Sequence, residues 1–194
     1  VKLRPHAKTH KSADIGRVQM QAGAAGVCVQ KVSEAEALID MGASNVLISN
    51  EVIAPHKLMR VANLAQRVSG RRGQLGIVVD SLQGVDALAA AMARVSTRID
   101  VFVEINVGQN RCGVAPGAAA VPLVQAISRH ASMRFAGLQA YNGKLQHMRA
   151  VSARREAVAQ AALQIQATRD ALAAEGFEVP LVTGGGTGAF AIEV

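Results

Sequence analysis

The chain has 194 residues, 50% of them hydrophobic, which is enough for one well-packed soluble domain. Its net charge is +7, but only 3% of the residues are aromatic and Trp is absent. The stacking surface that single-stranded nucleic acid needs is therefore missing, and we attribute the positive charge to attraction for anionic small molecules.

No apolar run approaches the length of a membrane span, and no basic-then-apolar leader opens the sequence. The two cysteines, Cys28 and Cys112, are too few and too far apart for a disulfide framework or a zinc site. We expect a cytoplasmic protein that does not bind membranes or nucleic acid.

The first predicted element is a strand over residues 3–9. Side chains alternate between the two faces of a strand, and the basic ones here fall on one face: Arg4, His6, Lys8 and His10. A lysine among like charges resists protonation, so Lys8 is a candidate amine nucleophile of the kind that forms Schiff bases with carbonyl compounds or pyridoxal phosphate (PLP). The alternative is a basic surface segment. The alternation argues against it, because a solvent-exposed segment does not require neutral residues at every second position.

Short segments rich in Val and Ile alternate with longer amphipathic stretches, which is typical of parallel β/α folds. Further strands are predicted at 26–30, 45–50, 75–80, 100–106, 135–141 and 180–183. Helices lie between them. One is predicted to open with a capping box, with Ser33 as cap and Glu36 reaching back. Another begins at Asp80 or Ser81, and a long helix ends at Gly176.

An open doubly wound sheet and a (β/α)₈ barrel, or TIM barrel, both produce this alternation. Polar or glycine-rich residues follow nearly every predicted strand, as in a barrel, whereas an open sheet gathers its ligand at one switch point. We therefore predict a barrel. Because seven strands are predicted and eight are needed, we expect the last strand to lie beyond Val194.

A glycine cluster follows the last predicted strand: Thr183, Gly184, Gly185, Gly186, Thr187 and Gly188. Consecutive glycines let backbone N–H groups converge on an anion, and late loops of barrels commonly hold phosphate. A tight turn is the alternative interpretation.

Three further residues are candidates for cofactor contacts. Arg111 lies between glycines, where its charge would hold a phenolate or carboxylate oxygen unless it is an ordinary surface arginine. Tyr141 would pack against a planar cofactor or close the core. Gln30 would donate to a cofactor oxygen or satisfy the backbone. Cys112 is interpreted as a packed residue.

These residues closely resemble a known family. The segment 4–11 resembles the cofactor-lysine segment of D-threonine aldolases, 3-hydroxy-D-aspartate aldolases and D-serine dehydratases, which belong to the alanine-racemase-like PLP enzymes. The similarity continues over most of the chain, at 28–35, 48–52, 108–114, 137–141 and 183–188.

The resemblance implies that residues 1–194 are a PLP-binding barrel, incomplete at both ends and lacking a C-terminal β domain. Lys8 matches the Schiff-base lysine, and residues 183–188 match the phosphate loop. The predicted cofactor site also includes His6, Gln30, Arg111 and Tyr141.

The activity implied is that of a PLP-dependent lyase, which cleaves D-β-hydroxy-α-amino acids such as D-threonine or 3-hydroxy-D-aspartate to glycine and an aldehyde or oxo acid. A homodimer is implied for the full-length protein, as is a divalent metal (Mn, Mg or Zn) with ligands outside this segment; no metal ligand is assigned within it. Asn142, where D-threonine aldolases often carry His, leaves the substrate open. The alternatives are a D-serine or 3-hydroxy-D-aspartate dehydratase and a non-catalytic PLP carrier.

Overall fold

The sheet is parallel throughout. In the computed structural model, which describes residues 1–193, six strands form a half-barrel in which each strand pairs with the next along the chain. The strands are β1 Val27–Val29, β2 Asn45–Glu51, β3 Gln74–Val79, β4 Ile99–Glu104, β5 Met133–Ala140 and β6 Val182–Gly184. The predicted parallel β/α architecture is confirmed.

A helix lies between each pair of successive strands, and one more helix lies at each end of the sheet. They are α1 Ala13–Gln21, α2 Val32–Asp40, α3 Pro55–Gly70, α4 Leu82–Met92, α5 Val121–Ser128, α6 Val151–Ala174 and α7 Phe190–Glu193, with short 3₁₀ helices at Ala118–Ala120 and Gly143–His147. None of the helices described here is both long and apolar enough to cross a membrane.

The predicted first strand over residues 3–9 is correct only in part. Residues 3–7 run alongside β1 and the residues before it, because the Leu3 and Pro5 carbonyls accept the Ala25 and Cys28 N–H groups, each at 2.8 Å. His6 forms an isolated parallel bridge opposite Cys28, and the Ala7 N–H donates to the Cys28 carbonyl at 2.8 Å. The chain then turns, because the Lys11 N–H donates back to the Ala7 carbonyl at 2.7 Å. This turn ends the alternation on which the prediction depended.

The capping box of α2 lies two residues before the predicted one, with Lys31 rather than Ser33 as the cap. The helix begins before Ser33, at Val32, and Glu34 rather than Glu36 accepts the Lys31 N–H, at 3.2 Å. Glu36 instead forms an ion pair with Arg60 on α3. The sequence thus correctly predicts that a glutamate side chain accepts the N-cap backbone N–H, but it names the wrong glutamate.

Two other helix ends are confirmed. Ser81 caps α4, because its Oγ accepts the Gly84 N–H at 3.2 Å. The long helix α6 is followed by Gly176, whose φ of +81° is the left-handed conformation that glycine adopts readily.

The core has two layers because strand side chains alternate between faces. The larger layer packs the sheet against the helices and includes Ile48, Ile77, Val101 and Leu138, each at most 1% exposed. The opposite face carries a smaller apolar cluster of Cys28, Leu47, Val78 and Phe102. The packed sheet fixes the carboxyl ends of the strands, from which the candidate site is built.

Candidate functional site

Six parallel strands bring six carboxyl ends to the same edge of the sheet. The residues at or directly after those ends are Gln30, Glu51, Asp80, Glu104, Tyr141 and Gly184. Function in barrels concentrates at this edge. The predicted gathering of polar residues behind the strands therefore corresponds to one region of the molecule.

Lys8 is exposed and lies two residues beyond the bridge at His6. Its backbone N–H donates to His6 Nδ1 at 3.2 Å, and His6 Nε2 lies 3.3 Å from Ser49 Oγ. The Ser49 hydroxyl donates to the Val29 carbonyl at 3.2 Å. Burial and the nearby Lys8 charge lower the pKa of His6 to about 4, although Glu34 opposes the shift. The imidazole beside Lys8 is thus neutral at neutral pH.

The other basic residues of the predicted face diverge. Arg4 donates to Asn45 Oδ1 at 2.7 Å, and Asn45 is the first residue of β2, at the opposite end of the sheet. His10 lies within the turn, where its Nδ1 accepts the Ser12 N–H at 3.1 Å. The prediction of one cationic face is wrong, and His6 alone keeps the expected relation to Lys8.

Lys11, the other lysine of this segment, lies in a different setting. Its Nζ is 3.8 Å from Glu34 Oε1 on α2, and its φ of 49° is left-handed. The structure therefore distinguishes the two amines: Lys11 faces a carboxylate, and Lys8 follows the strand-like bridge at His6.

The glycine cluster forms a loop between β6 and α7. Gly185 has a φ of +78°, and the Gly186 N–H donates to Glu193 Oε2 at 3.1 Å. The Gly188 N–H donates to the side-chain oxygen of Gln146. A backbone N–H of this loop is therefore already bound to an anionic oxygen, which is the acceptor chemistry of a phosphate.

Arg111 and Tyr141 are adjacent, since the Arg111 guanidinium carbon lies 5.8 Å from the centroid of the Tyr141 ring, within range of a cation–π contact. Gln30 is exposed, and its backbone N–H donates to Glu34 Oε2 at 3.0 Å. The structure places all three residues at the carboxyl edge but leaves their roles toward a cofactor as predictions.

A buried acidic group also lies at this edge. Glu104 is 3% exposed and accepts a hydrogen bond from the Gln139 amide on β5. Burial and the neighbouring Glu51 carboxylate raise the pKa of Glu104 to about 7, against the opposing effects of Gln139 and Arg111. Glu104 therefore favours its protonated form more than an ordinary glutamate does.

Sequence reasoning missed a cluster beside Glu104. Ligand atoms of Glu51, Asp80 and Cys112 all lie within 4.8 Å of one another, and Asp80 Oδ2 also accepts the Gly113 N–H at 3.1 Å. Burial and the two glutamates raise the pKa of the Cys112 thiol to about 11. Glu51 ends β2, whereas Asp80 and Cys112 lie in two separate loops, so no local spacing reveals the cluster. The available signal is that each residue lies at or after the end of a strand.

A family model described as the alanine racemase N-terminal domain matches residues 1–193. The chain is 40% identical over 188 residues to a D-threonine aldolase of Arthrobacter sp., covering 97% of this chain and 48% of that protein. It is 39% identical over 191 residues to a 3-hydroxy-D-aspartate aldolase of Paracoccus denitrificans (strain Pd 1222), covering 98% and 48%.

The crystal structure of D-threonine aldolase from Filomicrobium marinum is similar, with a TM-score of 0.94 and 47% sequence identity. The match covers 99% of this chain and 50% of that one. The chain thus spans about half the length of the relatives it matches.

Proposed function

Because this chain belongs to the alanine racemase N-terminal domain family, we propose that it is the PLP-binding part of a lyase that cleaves D-β-hydroxy-α-amino acids to glycine and an aldehyde or oxo acid. The names of the two aldolases among its relatives support this activity. The observation that carries the proposal is an exposed Lys8 beside a neutral His6 at the carboxyl edge of the half-barrel.

The residues at this edge fit PLP chemically. The cofactor needs an amine for its aldehyde, donors for its phosphate and a partner for its planar ring. Lys8 supplies the amine, and Arg111 with Tyr141 supplies a cation next to an aromatic ring. The N–H groups of residues 184–188 supply the donors, and that of Gly186 already donates to a carboxylate oxygen. PLP, when bound, supplies the electron sink for breaking the Cα–Cβ bond.

The residues themselves would act by holding groups in place. Lys8 must lose a proton to become a nucleophile, and a neutral His6 adds no positive charge beside it at that moment. The Arg111 guanidinium is a planar cationic donor, so it would hold an anionic ring oxygen. We assign Gln30 to a cofactor oxygen and assign no residue of this chain as the base that takes the β-hydroxyl proton.

We further propose that residues 1–194 form one domain of a cytoplasmic homodimer whose substrate is a small D-amino acid and which binds neither nucleic acid nor membranes. A divalent metal (Mn, Mg or Zn) is proposed for the whole protein, with ligands outside this chain as the family resemblance implies. The nearby donors Glu51, Asp80 and Cys112 are not assigned to that metal, because Asp80 already accepts a backbone N–H.

The cofactor assignment is tested by borohydride, which fixes PLP irreversibly to the lysine that holds it. A protein containing this chain should be treated with PLP and borohydride, and the labelled peptide sequenced. We expect the label on Lys8, its loss in Lys8→Arg and its retention in Lys11→Arg. A label on Lys11 would overturn the assignment.

The reaction is tested with the same protein, PLP and Mn²⁺, using D-threonine and 3-hydroxy-D-aspartate as substrates. Glycine is the expected product, and a chelator should abolish its formation. Ammonia and a 2-oxo acid without glycine would indicate the dehydratase instead. PLP binding without turnover of either substrate would indicate a carrier. Residues 1–194 alone should bind PLP without producing glycine.

A further inference from the structure

Three hydrogen bonds connect the backbone of Lys8 to the sheet. They join Lys8 N–H to His6 Nδ1, His6 Nε2 to Ser49 Oγ, and Ser49 Oγ to the Val29 carbonyl. We call this chain of groups the His6 relay. We propose that Ser49 is a positioning residue, which fixes the tautomer of His6 and thereby the backbone of Lys8; this rests on the cofactor-binding role proposed for Lys8.

The directions of the bonds follow from the number of hydrogens. The Ser49 hydroxyl has one hydrogen, which it donates to the Val29 carbonyl, so its oxygen accepts from His6 Nε2–H. His6 Nδ1 then carries no hydrogen and accepts the Lys8 N–H. In the opposite tautomer, or in the imidazolium, two N–H groups would point at each other between His6 and Lys8.

The surroundings of the relay favour the same tautomer. The charged groups facing His6 are the Lys8 amine and the Glu34 carboxylate. Burial and the Lys8 charge lower the pKa of His6 by more than the Glu34 charge raises it, so the ring stays neutral. The Cys28 thiol also interacts with the Ser49 hydroxyl, and burial raises the Cys28 pKa, so it remains a thiol. A protonated thiol does not compete with the Val29 carbonyl for the single Ser49 hydrogen, so Ser49 donates to Val29 and its oxygen accepts from His6.

The relay joins the buried part of the sheet to the point where the chain turns. Val29 is fully buried in β1, and Ser49 lies in β2, the strand paired with β1. Lys8, by contrast, is exposed within the turn at residues 7–10. The backbone of Lys8 is thus held by hydrogen bonds that run from the sheet through the His6 imidazole, and not by strand pairing of Lys8 itself.

Two pairs of variants separate positioning from folding. Ser49→Ala removes the hydroxyl, and Ser49→Thr keeps it. His6→Leu removes the acceptor for the Lys8 N–H, whereas His6→Asn keeps one, since an Asn side-chain oxygen accepts the N–H two residues on. The unfolding midpoint of each variant identifies any that fails to fold.

The first measurement uses cofactor-free protein. Nitrogen-15 chemical shifts should show His6 Nδ1 without hydrogen in wild type and in Ser49→Thr, and a mixture of tautomers in Ser49→Ala. Exchange of the Lys8 N–H should accelerate about tenfold in Ser49→Ala and His6→Leu, the loss expected for one hydrogen bond, and stay near wild type in Ser49→Thr and His6→Asn.

The second measurement is PLP affinity by absorbance, which should weaken about tenfold in Ser49→Ala and recover in Ser49→Thr. Unchanged His6 shifts and Lys8 exchange in Ser49→Ala would overturn the inference, as would equal loss of PLP affinity in folded Ser49→Thr. Failure of borohydride to label Lys8 in wild type would instead refute the proposed function, and the cofactor-free measurements would still decide the relay.

Discussion

The Gln139 side chain donates a hydrogen bond to the carboxylate of Glu104, directly across the pairing of β4 with β5. Both side chains are buried, 3% exposed for Glu104 and 5% for Gln139. A buried carboxylate costs free energy even with a hydrogen-bond partner, and Glu51 adds a second negative charge. Ionisation of Glu104 is therefore unfavourable in the folded protein, which links folding stability to pH.

The first prediction concerns that pH dependence. Because the pKa of Glu104 is raised to about 7 in the folded protein, its contribution to stability is complete below its ordinary pKa and is lost as pH rises through about 7. Glu104→Gln cannot ionise, so the variant should lose less stability than wild type between about pH 5 and about pH 8. Urea unfolding across this range measures the difference.

Glu178→Gln is the control for this experiment, since Glu178 is exposed in the segment between α6 and β6. Its pH profile should follow that of wild type. A Glu104→Gln profile parallel to wild type would show that Glu104 does not titrate in this range in the folded protein.

The second prediction concerns the contact between β5 and β6. Gly137 has a φ of +141°, and a Cβ there would lie 1.9 Å from the Leu181 carbonyl oxygen. Gly137→Ala should therefore lower the free energy of unfolding by about 3 kcal/mol or more. Gly70→Ala is the matched control: Gly70 ends α3, nothing lies within 4 Å of its Cβ position, and its effect should stay within about 1 kcal/mol. Equal denaturation midpoints would contradict the predicted clash.

Much of the fold is predictable because its signals are local. Runs of Val and Ile mark the strands, Ser81 supplies a side-chain cap, and Gly176 supplies a left-handed end. The predicted first strand is correct only up to Ala7, because the alternating pattern of residue types continues into residues 7–10, where the backbone turns. The bond from Lys11 N–H to the Ala7 carbonyl, which turns the chain, has no local signature in residue type.

The candidate site is predictable only in its separate pieces. Lys8 is recognisable from the basic residues around it. Arg111, Tyr141 and the glycine loop are recognisable from their positions after strands. The partners are not, because contacts such as His6 with Ser49 join residues 43 positions apart through the parallel sheet. Sequence patterns within one segment carry no information on such pairs.

The third prediction tests the glycine loop. Gly185 has a φ of +78°, and a Cβ there would lie 2.8 Å from Glu193 Oε2. Gly185→Val should strongly weaken PLP binding while leaving the circular dichroism spectrum of the cofactor-free protein largely unchanged. Gly176→Val is the matched control, because Gly176 has a nearly equal φ of +81° with nothing within 4 Å of its Cβ position.

Backbone strain is therefore similar in these two variants, and only Gly185→Val should alter PLP binding. Equilibrium titration with PLP and competition by inorganic phosphate provide the measurements. If Gly185→Val binds PLP as wild type does, the glycine cluster is a tight turn and not a phosphate site.

The fourth prediction concerns Arg111, whose guanidinium carbon lies 5.8 Å from the centroid of the Tyr141 ring. If Arg111 holds an anionic oxygen of the cofactor, Arg111→Ala removes a charge-assisted hydrogen bond, and PLP affinity should fall about tenfold to a hundredfold. Arg111→Lys keeps the charge but loses the planar group that stacks on an aromatic ring, so its affinity should be intermediate.

Arg149→Ala, at an exposed position just before α6, controls for loss of positive charge and should bind PLP as wild type does. Wild-type affinity in Arg111→Ala would make Arg111 an ordinary surface arginine, and equal losses in Arg111→Ala and Arg149→Ala would assign the effect to net charge.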